Sequence, residues 1–107
     1  MTDNMQVQPR EVKQMLERGE PLLLVDVRQD WEHQTCRIEG AKLVPLGTLP
    51  SNLALFEEAE AVVLYCHHGM RSLDAAAFLQ QQGIRARSLA GGIDRWSVEI
   101  DPKVPRY

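Results

Sequence analysis

Cysteine is scarce in this chain of 107 residues, which has only Cys36 and Cys66, thirty positions apart. So few thiols exclude the disulfide framework that staples small secreted domains, and a reducing compartment would keep Cys66 free. Neither cysteine has the neighbours of a zinc site. His67 and His68 directly follow Cys66, but no second Cys/His pair completes a tetrahedral set, so no metal and no cofactor are expected. Surplus positive charge is also missing: 12 Lys and Arg stand against 15 Asp and Glu, giving a net charge of -3. Binding to a phosphate backbone needs a basic patch, so no nucleic-acid partner is expected and any bound anion should be small and held locally. Long apolar runs are absent too. Charged residues such as Asp3, Arg10, Glu11, Lys13 and Glu17 interrupt the first twenty positions, where a leader peptide would carry its apolar core. No membrane partner is expected, and the cytoplasm is the expected location. Neither internal repeats nor low-complexity tracts occur.

What remains is an ordinary globular composition, with 44% hydrophobic and 25% charged residues. This length supports one core, so residues 1–107 are expected to form a single domain with its body at about 6–98 and an extended surface tail at 101–107. No surplus apolar face is evident, which favours a monomer. Pro9, then Val12, Met15 and Leu16 at helical spacing, then Gly19, predicts a short amphipathic helix. Leu22 to Val27 and Ala61 to Cys66 are near-continuous apolar runs of strand length, as expected of parallel strands covered on both faces. A short strand is expected at Ala41 to Val44. Leu49, Leu53, Leu55 and Phe56 form a weaker helical pattern blurred by Pro50. Ser72 to Gln82 reads as a helix capped by Gly83, and Arg85 to Leu89 as a final strand. Alternating strands and helices of these lengths predict an α/β fold of three layers. Its central parallel sheet should have about five strands, with right-handed crossovers and helices on both faces.

The most informative segment runs from Val62 to Ser72, where an apolar strand ends in Cys66 and helical sequence resumes five residues later. Open α/β sheets bind ligands in the crevice at such strand ends, facing a helix whose first amides lack intrahelical partners. Those amides, the helix dipole and Arg71 all favour negative charge on a sulfur nucleophile and on an anionic ligand. Four residues separate Cys66 from Arg71. Tyrosine phosphatases resemble this loop with five, and one residue adds up to about 3.5 Å of chain. The shorter cradle suits a sulfur atom better than a tetrahedral phosphate. Asp74 and Asp94 could serve a phosphatase as acid, but neither lies in a recognisable acid loop.

Four ordered motifs resemble the rhodanese family of sulfurtransferases between about Gln6 and Trp96. They are Asp26-Val27-Arg28 with Trp31-Glu32, Ile38-Glu39-Gly40-Ala41, the loop from Cys66 to Ser72, and Leu89 to Trp96 with its glycine pair. The chain departs from that family at Cys36-Arg37, where a glycine-histidine pair is usual, and at Glu39, where proline is usual. The resemblance implies a rhodanese-like fold and double displacement. Cys66 would take the outer sulfur of an anionic donor such as thiosulfate and pass it to a thiol, cyanide or a sulfur-carrier protein. Main-chain N–H groups from His67 through Gly69 and Met70 to Ser72 would bind the substrate.

Each of these residues also has a plainer reading. Arg71 would orient the donor or merely close the loop through a carboxylate pair. His67 and His68 fit contacts at the substrate rim better than acid–base catalysis. Ser72 is a hydroxyl donor to the sulfur or a helix cap. Asp26 and Arg28 would frame the pocket from beneath, with Glu32 a partner for Arg28. Trp31 and Trp96 read as packing, and Gly91-Gly92 as a tight strand-to-helix turn. Cys36 is a resolving thiol or, more simply, a packed one. Two further function classes stay open: a rhodanese-like module that binds without catalysis, and a small phosphatase or arsenate reductase.

Overall fold

A computed structural model describes residues 5–107; Asp3, which entered the leader-peptide argument, lies outside the described residues. The expected apolar runs form the middle of the sheet. β2 (Leu23–Asp26) and β4 (Val62–Tyr65) pair in parallel over four residues, from Leu23 opposite Val62 to Asp26 opposite Tyr65. Every residue of β4 is buried, as a central strand covered on both faces requires. β5 (Ala86–Leu89) flanks β4 on its other side, and β1 (Gln6–Val7) and β3 (Lys42–Leu43) form the edges. All pairings are parallel, in the order β1-β5-β4-β2-β3. The expected five-stranded α/β architecture is therefore the observed one.

Alternation along the strands divides the core into two layers. Leu24, Val63 and Tyr65 pack with Val12 of α1 (Pro9–Glu17) and with Ile93 and Trp96 of α5 (Gly92–Glu99). Val25, Val62 and Leu64 face the other way, towards Phe56 of α3 (Leu53–Glu57) and Ala75, Ala76 and Leu79 of α4 (Met70–Gln81). Each fully buried leucine or valine stabilises the fold by roughly 1.5–3 kcal/mol, so both layers contribute substantially. Among the described residues no helix is long and apolar enough to cross a membrane.

Local chemistry explains the departures from expectation. Pro50 lies inside a 3-10 helix (Leu46–Asn52) that runs directly into α3, so the blurred segment is helical in two geometries. α2 (Asp30–Thr35) is one and a half turns around Trp31 and Glu32, too short for periodicity to show. α4 begins at Met70, two positions before the expected start, because Gly69 takes the left-handed conformation at the cap. The largest difference concerns 101–107, expected as an extended surface tail. Val104 is only 8% exposed within the α1/α5 layer, and its carbonyl accepts a hydrogen bond from Ser97 Oγ. The segment instead folds back as a strap that carries Tyr107 to the carboxyl ends of the strands.

Candidate active site

The chain leaves β4 at Tyr65 and enters α4 at Met70, and the intervening turn wraps around the Cys66 sulfur. Gly69, at φ 105°, turns its amide inward to donate to Cys66 Sγ at 3.1 Å. Ser72, in the first turn of α4, donates its amide to the same atom at 3.3 Å. Both amides belong to the set that a helix start leaves without intrahelical acceptors, so the sulfur occupies a ready anion-binding position. Ser72 Oγ lies 3.4 Å from Sγ and 2.7 Å from Ser88 Oγ, which extends the polar contact into β5. Cys66 is 1% exposed, so the loop closes the sulfur almost completely from solvent.

The loop carbonyls are held the opposite way. Ile93 N donates to Cys66 O at 2.9 Å and Asp94 N donates to His67 O at 3.1 Å, so the start of α5 binds them. This requires close backbone approach at Gly92, where a Cβ would stand 2.4 Å from His67 O. The glycine pair thus shapes the turn, as expected, and also turns the loop's amides toward the sulfur by securing its carbonyls.

Beneath the loop lies a buried charged frame. Asp26 accepts from Arg28 through N and Nε at Oδ1 (2.9 and 2.8 Å) and through Nη2 at Oδ2 (2.7 Å). His33 Nδ1 reaches the same Oδ2 at 2.8 Å. Arg28 also donates to the Cys36 carbonyl and lies 5.4 Å from the Tyr65 ring and 5.6 Å from the Tyr107 ring. Burial alone would lower the Arg28 pKa, but its bonds to Asp26 and Tyr107 more than offset this and raise it. The expected Asp26–Arg28 frame is present, while Glu32 does not pair with Arg28. The third position of α2 folds the Glu32 carboxylate back onto the Gln29 amide (3.0 Å), from where it receives both Arg71 nitrogens at 2.7 and 2.9 Å. Arg71 therefore has the fixed carboxylate pair, with its side chain 38% exposed, and it interacts electrostatically with Cys66. Ser72 is not the helix cap; Gly69 is.

These bonds carry a pH dependence. Arg71 first, then Tyr107 and the Gln29 amide, outweigh burial and hold the Glu32 carboxyl down to about 2 against an ordinary 4.5. A carboxyl depressed in the folded state adds stability that is complete above pH 4.5 and lost as pH falls to about 2. The contribution is on the order of 2–3 kcal/mol after screening at the exposed side of Arg71. Glu32→Gln should flatten the acid limb of stability in that window, read as urea midpoints against pH; an unchanged acid limb would remove Glu32 as its source.

The rim carries the histidines. The His67 ring stacks between His68 (centroids 4.0 Å apart) and Tyr107 (3.9 Å). Burial, then neighbouring His68, lowers the His67 pKa and favours its neutral form. His68 is exposed and 3.9 Å from Asp94. One potential ligand atom from each of His67, His68 and Asp94 falls within 4.8 Å of the others. Arg106, however, holds both Asp94 oxygens at 2.8 and 3.2 Å, placing a cation where a metal would have to compete. Met70 is 75% and Trp31 62% exposed, so Trp31 is a rim residue and not core packing, whereas Trp96 is buried. Cys36 is buried in the α1/α5 layer, beside Arg28 Nη1 at 3.8 Å, while Cys66 belongs to the α3/α4 layer. That placement supports packing for Cys36.

The sequence profile of the Rhodanese-like domain matches residues 8–99. The chain belongs to that family. The crystal structure of a rhodanese-like domain protein from Staphylococcus aureus superposes with a TM-score of 0.83 at 32% identity, covering 96% of this chain and 98% of that one. A protein named "Sulfurtransferase" from Allochromatium vinosum is 34% identical over 93 residues, 86% of this chain and 87% of its own length. "Probable adenylyltransferase/sulfurtransferase MoeZ" of Mycobacterium tuberculosis is 36% identical over 104 residues. This rhodanese-like domain covers 94% of itself in that match but spans about a quarter (26%) of MoeZ.

The fold brings Cys66, Gly69, Ser72, Arg71, Glu32, Asp26 and Arg28 to one end of the rhodanese-like sheet, with His67 and His68 at the rim. Sequence reasoning missed Ser88 and Tyr107, and also His33, which meets Asp26 in the buried frame. In β5, alternation places Ser88 on the same face as Ala86, which was the available signal for Ser88; nothing local marked Tyr107.

Proposed function

We propose that this rhodanese-like domain is a sulfurtransferase that carries sulfane sulfur as a persulfide on Cys66, taking it from a thiosulfate-type donor. The carrying observation is the Cys66 sulfur at the focus of two inward amides and a serine hydroxyl, with the Arg71 guanidinium near enough to interact with it electrostatically. The sulfurtransferase names of the relatives support the same reading. In the first half-reaction the Cys66 thiolate attacks the outer sulfur of thiosulfate. A new S–S bond forms, the old one breaks, and sulfite departs with its electron pair. The persulfide keeps one negative charge, which the Gly69 and Ser72 amides stabilise before and after transfer. In the second half-reaction cyanide or a thiolate, including one carried by a sulfur-carrier protein, attacks the terminal sulfur; a bond to that sulfur forms, the Cys66 S–S bond breaks, and its electron pair restores the thiolate. Arg71 attracts the dianionic donor, and the main chain from His67 through Met70 lines its path. A reducing, cytoplasmic setting would keep both cysteines as the free thiols found here.

Phosphatase chemistry fits the side chains less well. Asp94 is held ionised below the usual carboxylate range by Arg106, and Asp74 is exposed on α4, so neither is placed as a general acid. The test is the intact mass of the protein before and after thiosulfate, then after cyanide. Gain of one sulfur, located to the Cys66 peptide and removed by cyanide, is expected. No gain from thiosulfate, mercaptopyruvate or a protein persulfide would sink the proposal and favour a binding module.

A further inference from the structure

The strap at 101–107 reaches the site through contacts that the loop chemistry above does not require. Tyr107 Oη donates to Glu32 Oε2 at 2.6 Å and accepts from Arg28 Nη1 at 2.9 Å. Its ring lies flat on His67, with 8° between the planes, and meets Trp31 edge-on at 6.0 Å. Arg106 ties the same segment to Asp94, and buried Val104 anchors its middle. Glu32 Oε2 is thereby shared between Tyr107 and Arg71 Nη2, while Oε1 is shared between the Gln29 amide and Arg71 Nη1. Both oxygens of the carboxylate are pinned, which fixes the plane in which it receives Arg71.

We propose that Tyr107 is a positioning residue for Arg71: its hydroxyl orients Glu32 so that the guanidinium is held toward an anion approaching Cys66, and its ring forms one wall of that approach. The inference rests on reading the Cys66 loop as the place where an anion meets the sulfur. Loss of the hydroxyl leaves Oε2 held by Arg71 alone, so only the Gln29 amide still fixes the carboxylate independently of the guanidinium, and Arg71 spreads over more orientations. A charge-assisted bidentate pair derives its strength from alignment, so the field at Cys66 weakens although no charge is removed. Burial and then Glu32 push the Tyr107 pKa up to about 12, so the hydroxyl keeps its proton across the working range.

Alkylation of Cys66 tests this without any sulfur donor. The thiolate displaces iodide from iodoacetate or iodoacetamide, forming a C–S bond, and the two reagents differ in one negative charge. The ratio of their rate constants, with the adduct located to the Cys66 peptide, reports the field that Arg71 exerts. Tyr107→Phe should lower the iodoacetate-to-iodoacetamide ratio about 3- to 10-fold toward that of Arg71→Ala, as expected for one misaligned ionic hydrogen bond. Iodoacetamide is the internal reference, because it senses the charge only through the thiolate fraction, which both reagents share at one pH and which cancels from the ratio. Val104→Ala, which loosens the strap at its buried anchor and changes no charge, should move the ratio in the same direction even if Tyr107→Phe fails to fold. An unchanged ratio in the folded variants, or in Arg71→Ala, would overturn the proposal. Equal changes with both reagents would also overturn it, by showing a merely structural role. Wild-type protein that takes up no sulfur yet shows these ratio shifts would overturn the sulfurtransferase reading and leave the role of Tyr107 standing.

Discussion

Cys66→Ala and Cys66→Ser should both take up no sulfur from thiosulfate, and transfer to cyanide should fall at least about 10³-fold, to background. The two variants should nevertheless differ in stability. Alanine removes the atom that accepts from the Gly69 and Ser72 amides, in a site almost closed to solvent. Buried donors left without an acceptor cost about 1–3 kcal/mol each, less whatever water recovers. Serine offers a smaller but competent acceptor to the same amides and a hydroxyl partner to Ser72. Urea midpoints should therefore fall clearly for Cys66→Ala and little for Cys66→Ser, with activity absent in both. Persistent uptake in Cys66→Ala would mean that Cys36 holds the sulfur, contrary to its place beside Arg28 in the opposite layer, away from the loop amides. Equal stability of the two variants would mean that the amides do not depend on the sulfur as their acceptor.

The sheet and the sulfur cradle were legible in the sequence because both depend on local pattern. Leu22 to Val27 and Ala61 to Cys66 are near-continuous apolar runs of strand length without alternation, as strands buried on both faces require, and these became β2 and β4. Cys66 at the end of such a run, with Gly69 and then helical sequence, fixed the cradle for the same reason. The partner of each charged residue was not legible. Glu32 could have served Arg28 or Arg71, and the choice depended on α2 capping its own start with that carboxylate, which aims it at α4. Tyr107 lies 75 positions from Glu32. Its arrival follows from Val104 entering the α1/α5 layer and Arg106 meeting Asp94, contacts of a short polar segment that has no periodicity of its own.

Gly92→Ala should be among the most damaging single methyl additions in the chain, and Gly40→Ala supplies its control. Both glycines have positive φ, 64° and 86°, so alanine at either pays a conformational cost of about 1–2 kcal/mol. Nothing lies within 4 Å of a Cβ at Gly40, whereas at Gly92 it would meet His67 O at 2.4 Å and Cys66 O at 2.6 Å. Those atoms are main chain and cannot swing aside as a flexible side chain would. Relieving the collision means moving the Cys66 loop away from α5, which lengthens the bonds from Ile93 N and Asp94 N. The added strain should be about 1–3 kcal/mol beyond the control, as for overpacking in a tight core. Sulfur uptake should fall together with stability in Gly92→Ala, because the same shift swings the Gly69 and Ser72 amides off the sulfur, and remain near wild type in Gly40→Ala. Urea midpoints and sulfur-uptake rates for the pair decide it. If the two variants lose stability equally and Gly92→Ala still takes up sulfur normally, the start of α5 does not set the cradle, and the loop holds its shape through Gly69 and Ser72 alone.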